Sequence, residues 1–263
     1  MSRTVLSLVL VTLVSACGSI SSQTPTISKT SLGQATVDGL SAELFTDNQL
    51  QTGLSPLYLK ISDGGTLVIT DATLTVTPQM TMSGGMQHGA PVLGDPSVDS
   101  SGLYHVNVVF QMASSATDIW AVSVDIARAG AAAVHAQFNA LTVVDSGRAV
   151  VFSYTATGGT QSNYVASFNL TGAAKVGLNP VVFTLHQAQD MMPFAPVDDA
   201  TLVLDPEMPS MGHGAPGSVN PTLASSGRYS GQVAFSMAGT WQTTVTVSEA
   251  GQTLGTPKFT TKF

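Results

Sequence analysis

The chain has 263 residues, of which only 10% are charged, a net charge of −7 and a single cysteine, Cys17. That acidity excludes the basic surface which nucleic acid or a polybasic membrane patch requires, and one cysteine excludes both an intrachain disulfide and a thiolate-rich metal cluster. The length is enough for two domains, each with a core of its own.

At the amino terminus Arg3 precedes an apolar run from Val5 to Val14, closed by the small residues Ser15 and Ala16. The pattern predicts a secretory signal over residues 1–16, too short to cross a hydrocarbon layer of ~30 Å. Val14-Ser15-Ala16-Cys17 resembles the lipobox of bacterial lipoproteins. The resemblance implies cleavage before Cys17, lipidation of its sulfur, and a protein tethered to the bacterial cell envelope. Each buried acyl methylene contributes about 0.8 kcal/mol, so two or more chains make a stable anchor. Gly18 follows Cys17 where sorting to the inner membrane would favour Asp. By resemblance to enterobacterial sorting, this points to the outer membrane, facing the periplasm or the cell surface. Residues 17–26 are Ser, Thr, Gln and Pro-rich and read as a solvated tether.

Beyond the tether the period is two. Thr73-Leu74-Thr75-Val76-Thr77 and Thr244-Val245-Thr246-Val247 alternate polar with apolar, and clusters such as Asp63-Gly64-Gly65, Asp145-Ser146-Gly147 and Gly158-Gly159 supply turns. Ala127 to Ala136 contains Gly130, lacks an amphipathic stripe and reads as a linker or strand edge, with His135 inside it. The fold class expected is all-β: two tandem immunoglobulin-like sandwiches over 27–130 and 131–263, each of roughly seven strands.

Two copies of one pattern support that division. Gln51-Thr52-Gly53-Leu54-Ser55-Pro56-Leu57 matches Lys175-Val176-Gly177-Leu178-Asn179-Pro180-Val181, and Asp71-Ala72-Thr73-Leu74 matches Asp199-Ala200-Thr201-Leu202. Met80, Met82, Met86 and His88 in the first copy answer to Met208, Met211 and His213 in the second. Downstream, Tyr104, Phe110 and Met112 stand at the same offset from Tyr229, Phe235 and Met237, and each copy then reaches a tryptophan, Trp120 or Trp241. Copies of ~100 residues are domains that fold singly, unlike the shorter repeats of a solenoid.

The second copy resembles the YtkA-like domain, related to the FixH oxidase-assembly proteins. Its motif is Glu207-Met208-Pro209-Ser210-Met211-Gly212-His213, then Gly227-Arg228-Tyr229, then Phe235-Ser236-Met237-Ala238-Gly239-Thr240-Trp241. The resemblance runs from about Gly177 to Val247 and implies a small exported β-sandwich associated with copper handling or oxidase assembly. The first copy departs from it, with three residues inserted between its outer methionines and a longer segment between Met112 and Trp120.

Thioethers grouped around one imidazole suit a soft cation such as Cu(I), because polarizable sulfur prefers a polarizable metal. The candidate ligands are Met208, Met211 and His213, supported by Met237 and by the face of Trp241, with Met80, Met82, Met86, His88 and Met112 as the first-copy set. The competing reading is structural: Met112, Met237, Trp120 and Trp241 close the end of a sandwich core, and Met208 and Met211 form a hydrophobic plug. Period-two alternation turns Tyr229, Gly231, Val233, Phe235 and Met237 to one face, whereas the break at Pro209 and Gly212 places Met208 and Met211 in an exposed loop. Met191-Met192, preceded by His186, are a weaker set, and His105 reads as an exposed strand residue. No HExxH, GxSxG, Walker, Rossmann or EF-hand pattern occurs, so an enzyme is not expected. Two functions remain: an envelope lipoprotein that binds or passes on Cu(I), or a structural or adhesive tandem module that binds other envelope proteins without a metal.

Overall fold

The computed structural model describes residues 29–64, 67–189 and 193–263. Cys17, the tether and Met191-Met192 lie outside these described residues. Among the described residues the first unit has β1 (Thr30–Val37), β2 (Leu40–Thr46), β3 (Gly53–Asp63), β4 (Thr73–Thr81), β5 (Gln87–Gly89), β6 (Val92–Val98), β7 (Tyr104–Phe110), β8 (Ile119–Ala127) and β9 (Val134–Leu141). The second unit has β10 (Ala149–Thr155), β11 (Gln161–Leu170), β12 (Gly177–Ala188), β13 (Phe194–Pro196), β14 (Thr201–Met208), β15 (His213–Gly214), β16 (Val219–Ser225), β17 (Arg228–Phe235), β18 (Thr240–Glu249), β19 (Gln252–Gly255) and β20 (Lys258–Lys262). The described residues contain no helix.

Sheet order β1-β2-β3-β7-β6 faces β5-β4-β8-β9 in the first unit. In the second, β10-β11-β12-β17-β16 faces β15-β14-β18-β19, with β13 added to β12 and β20 to β18. This is the immunoglobulin-like arrangement, an A-B-E-D sheet against a C′-C-F-G sheet, with all named pairs antiparallel. Beyond the seven strands expected, each unit adds an outer strand, β1 or β10, and a short strand after its methionine turn, β5 or β15, and the second unit also adds β13 beside β12 and has its last strand divided into β19 and β20.

Alternation builds each core. Leu74, Val76 and Met80 from β4 meet Trp120, Val122, Val124 and Ile126 from β8, and their counterparts Leu202, Leu204 and Met208 meet Trp241, Val245 and Val247. A tyrosine ties each core to a neighbouring loop: Tyr104 Oη accepts from Ala72 N–H at 2.9 Å, and Tyr229 Oη accepts from Ala200 N–H at 3.2 Å while donating to Val197 O at 2.8 Å.

The boundary at 130/131 requires correction. β9 lies beyond it, yet pairs with β8, and Val134, Ala136, Phe138, Leu141 and Val143 are buried in the first core. The alanine-rich approach to β9 offers little hydrophobic contrast, which hid the strand. His135 is accordingly a strand residue, donating from Nδ1 to Asp125 at 2.7 Å, and the units meet at the Asp145-Ser146-Gly147 turn.

The two units are docked, not merely strung together. Leu54 N–H donates to Asn169 Oδ1 at 3.1 Å, Asn169 Nδ2 donates to Ser167 Oγ at 2.9 Å, and Ser167 Oγ lies 2.7 Å from Thr184 Oγ1. Ser146 contributes two bonds to Thr52, N–H to Oγ1 at 2.9 Å and Oγ–H to the carbonyl at 2.6 Å. At Gly53 a Cβ would come within 2.8 Å of both Arg148 Cβ and Asn169 Oδ1, so only glycine permits this approach.

Candidate functional site

In the second unit Met208 ends β14, and its register partner across the hairpin is His213 of β15. Cross-strand partners share a face, so the imidazole and the thioether leave the sheet on the same side. The His213 ring stands edge-on to Trp241, with centroids 5.7 Å apart and planes at 75°. The first unit repeats this arrangement: Met80 is the register partner of both His88 and Trp120, and His88 lies 5.6 Å from Trp120 at 89°. Each indole N–H is satisfied by a methionine carbonyl at 2.9 Å, Trp120 by Met112 and Trp241 by Met237.

Burial separates the ten candidates, with Trp120, into three groups. Met80, Trp120, Trp241 and Met208, at 3% exposure, belong to the cores. Met82, His88, Met112 and His213 are half-buried. Met86, Met211 and Met237 are exposed at 55%, 62% and 40%. Two expectations are thereby corrected. Met208 is a strand-terminal core residue, not part of an exposed loop, because the alternation of β14 reaches it before Pro209 breaks the strand. Met237 does not share the inward face of Phe235, because β17 ends at Phe235 and the chain turns there. Met208 O accepts from both Met211 N–H and Gly212 N–H at 3.0 Å, which fixes the turn carrying Met211 outward.

The protonation geometry of the histidines bears on what they can bind. His213 Nδ1–H donates to Gly214 O at 3.1 Å, which leaves its Nε2 as the nitrogen with a free lone pair. A metal-ligating histidine commonly has its second nitrogen held by such a carbonyl. His88 Nδ1 makes the same bond to Gly89 O at 3.1 Å, and its Nε2 is buried with no hydrogen-bond partner among the described residues. Gln111 Nε2 intrudes there, at 3.2 Å from His88 Nδ1 and 2.6 Å from Gly89 O, and so competes for that tautomer. Ser236 occupies the equivalent position in the second unit, where no amide competes. Sequence spacing gave no sign of Gln111, since only the fold brings it to His88. Among the described residues no three His, Cys, Asp or Glu side chains gather at one point, so a cation at either end would rest on thioethers and one imidazole.

The other histidines stand apart. His105 is a strand residue of β7, half-buried where an exposed one was expected, because it packs edge-on against Tyr58 and donates from Nε2 to Asp99 at 2.6 Å. Asp99 is held well below the usual carboxylate range by hydrogen bonds from Ser101 and His105. His186 is buried in β12, and burial brings its pKa down to about 4 against the opposing pull of Asp198.

The fold and these paired ends define the chain as a tandem immunoglobulin-like β-sandwich protein. Residues 160–246, within the second sandwich, match the family described as YtkA-like, so this unit carries a YtkA-like domain. Comparison with curated proteins gives no match. Among solved structures the chain is similar to FdeC, an Escherichia coli adhesin, at 17% identity and a TM-score of 0.25, covering 84% of this chain. The match spans 63% of that structure, less than two thirds of its length.

Proposed function

We propose that the second sandwich binds a soft monovalent metal, Cu(I), and that the protein holds or passes on this ion at the bacterial cell envelope, anchored by lipid on Cys17. The role is binding, not catalysis. The observation that supports it is the repeated His–Trp–Met arrangement in which a glycine carbonyl fixes Nδ1 of His213 and frees Nε2. Exposed Met211 and Met237 flank this end, and Met208 lies beneath. Thioethers are poor ligands for Zn(II), and with no thiolate and one imidazole a closed tetrahedral zinc site does not form, so the donor set favours Cu(I). Copper handling or oxidase assembly is the context that a YtkA-like domain suggests, with an envelope protein as the receiving partner.

A second reading has its own support. The full burial of Met80 and Met208 and the satisfied indole N–H groups suit a structural or adhesive tandem module whose methionines only pack. Anaerobic Cu(I) titration against a chromophoric chelator separates the two. Under the copper reading His213→Ala and Met211→Leu/Met237→Leu each weaken binding by at least tenfold. Stoichiometry and affinity unchanged in both variants would leave the packing reading.

A further inference from the structure

We propose that the first sandwich holds an enclosed Cu(I) site of its own, formed by His88 Nε2 with the thioethers of Met82 and Met112, and that this ion exchanges more slowly than one at the open end of the second sandwich. Only the choice of metal rests on the reading of the second sandwich. The site itself stands on what covers the two ends. Seven residues, Ala113 to Ile119, separate Met112 from Trp120, where three separate Met237 from Trp241.

The longer segment is tied down on both sides. Near its start Ser114 N–H donates to Val143 O at 2.8 Å, and Ser114 Oγ accepts from Val143 N–H at 3.0 Å while donating to Leu141 O at 3.1 Å, where the chain leaves β9. Near its other end Asp118 Oδ1 accepts from Ser83 N–H at 3.1 Å, in the turn between Met82 and Met86. That turn is closed in itself, with Met82 N–H donating to Met86 O at 2.8 Å and Gly85 N–H to Met82 O at 3.0 Å. Segment and turn are thus joined across the end of the core, and Met82 and Met112 pack half-buried against it while Met211 and Met237 stay exposed. The departures of the first copy from the second build a cover.

Beneath this cover two acceptors are left over. His88 Nε2 and Gln111 Oε1 are both buried with no hydrogen-bond partner among the described residues. The Gln111 amide cannot turn its oxygen away, because its Nε2 is held by Gly89 O at 2.6 Å. A buried acceptor left unmet carries its full desolvation cost. A plug made only of packed thioethers leaves that cost in place, whereas a soft cation bound at Nε2 among thioethers removes it from the imidazole. Binding there also selects the tautomer in which Nδ1–H donates to Gly89 O. Charge favours the cation as well: Asp118, held below the usual carboxylate range by hydrogen bonds from Ser115 and Ser83, stands close enough to His88 for their charges to interact. The corresponding segment of the second copy, Ala238-Gly239-Thr240, carries no acid.

The test uses the full chain with Cys17→Ser, so that no thiol competes, labelled with ¹³C at the methionine methyl groups and titrated anaerobically with Cu(I). The methyl signals of Met82 and Met112 are expected to shift, and to do so equally when His213→Ala/Met211→Leu/Met237→Leu has removed the second end. His88→Ala and the volume-conserving pair Met82→Leu/Met112→Leu each weaken the ion of the first sandwich at least tenfold. A chromophoric chelator extracts that ion at least tenfold more slowly than the ion of the second sandwich, and Asp118→Ala, which frees the cover from the methionine turn, speeds its extraction severalfold. Methyl signals of Met82 and Met112 unmoved at saturating Cu(I), or full binding by His88→Ala, would overturn the site even where the second sandwich binds. Equal extraction from both ends, unaffected by Asp118→Ala, would overturn the enclosure. Copper held by the first sandwich and none by the second would support this site and refute the reading of the second.

Discussion

Met208 and Met211 stand three residues apart, and their opposite burial makes opposite predictions. Met208 lies against Trp241 and Gly239 at 3% exposure, whereas Met211 is 62% exposed on a turn. Truncating a buried methionine removes its transfer free energy and leaves a cavity, so Met208→Ala costs about 2–5 kcal/mol. Met208→Leu conserves volume and costs less than about 1.5 kcal/mol. Met211→Ala stays within about 0.5 kcal/mol, as surface substitutions do. Urea unfolding followed by tryptophan fluorescence reads all three, since Trp120 and Trp241 are both buried in the cores. If Met211→Ala destabilises as much as Met208→Ala, the assignment of one to the core and the other to solvent is wrong. A further variant bears on copper: loss of affinity in Met211→Leu with stability intact separates ligation from packing.

Gly53 and Gly177 share the left-handed region, with φ of +100° and +97°, but only Gly53 has another unit against it. Gly53→Ala is therefore expected to lose more stability than Gly177→Ala and to split unfolding into two transitions; equal effects in differential scanning calorimetry would deny the docking. The folded pKa of His186 lies below its ordinary value, so only the unfolded chain takes up the proton as pH falls from about 6.5 to about 4. Stability should drop across that window by on the order of 3 kcal/mol, and His186→Gln should flatten it; an unchanged profile in that variant would place the titration elsewhere. Asp99 acts with the same sign at lower pH, because a depressed carboxyl loses its contribution as pH falls below its ordinary 3.8. Cys17→Ser should move the protein from the membrane to the soluble fraction on cell fractionation, and retention would refute the lipid anchor.

The sequence by itself determined the all-β class, because alternation in segments such as Thr73–Thr77 and Thr244–Val247 is a local property that needs no knowledge of neighbours. It also determined that the pattern occurs twice and that the second copy is YtkA-like, since Met208, His213, Gly227, Tyr229 and Trp241 keep their order and spacing along the chain. Tertiary structure alone decided the rest. The place of β9 rests on its pairing with β8, a contact that an alanine-rich approach does not announce. The burial of Met208 and the exposure of Met237 depend on where strands end, which hydrogen bonding across the sheet fixes and side-chain type does not. Gln111 reaches His88, and Asn169 reaches Leu54, only because distant strands are brought together.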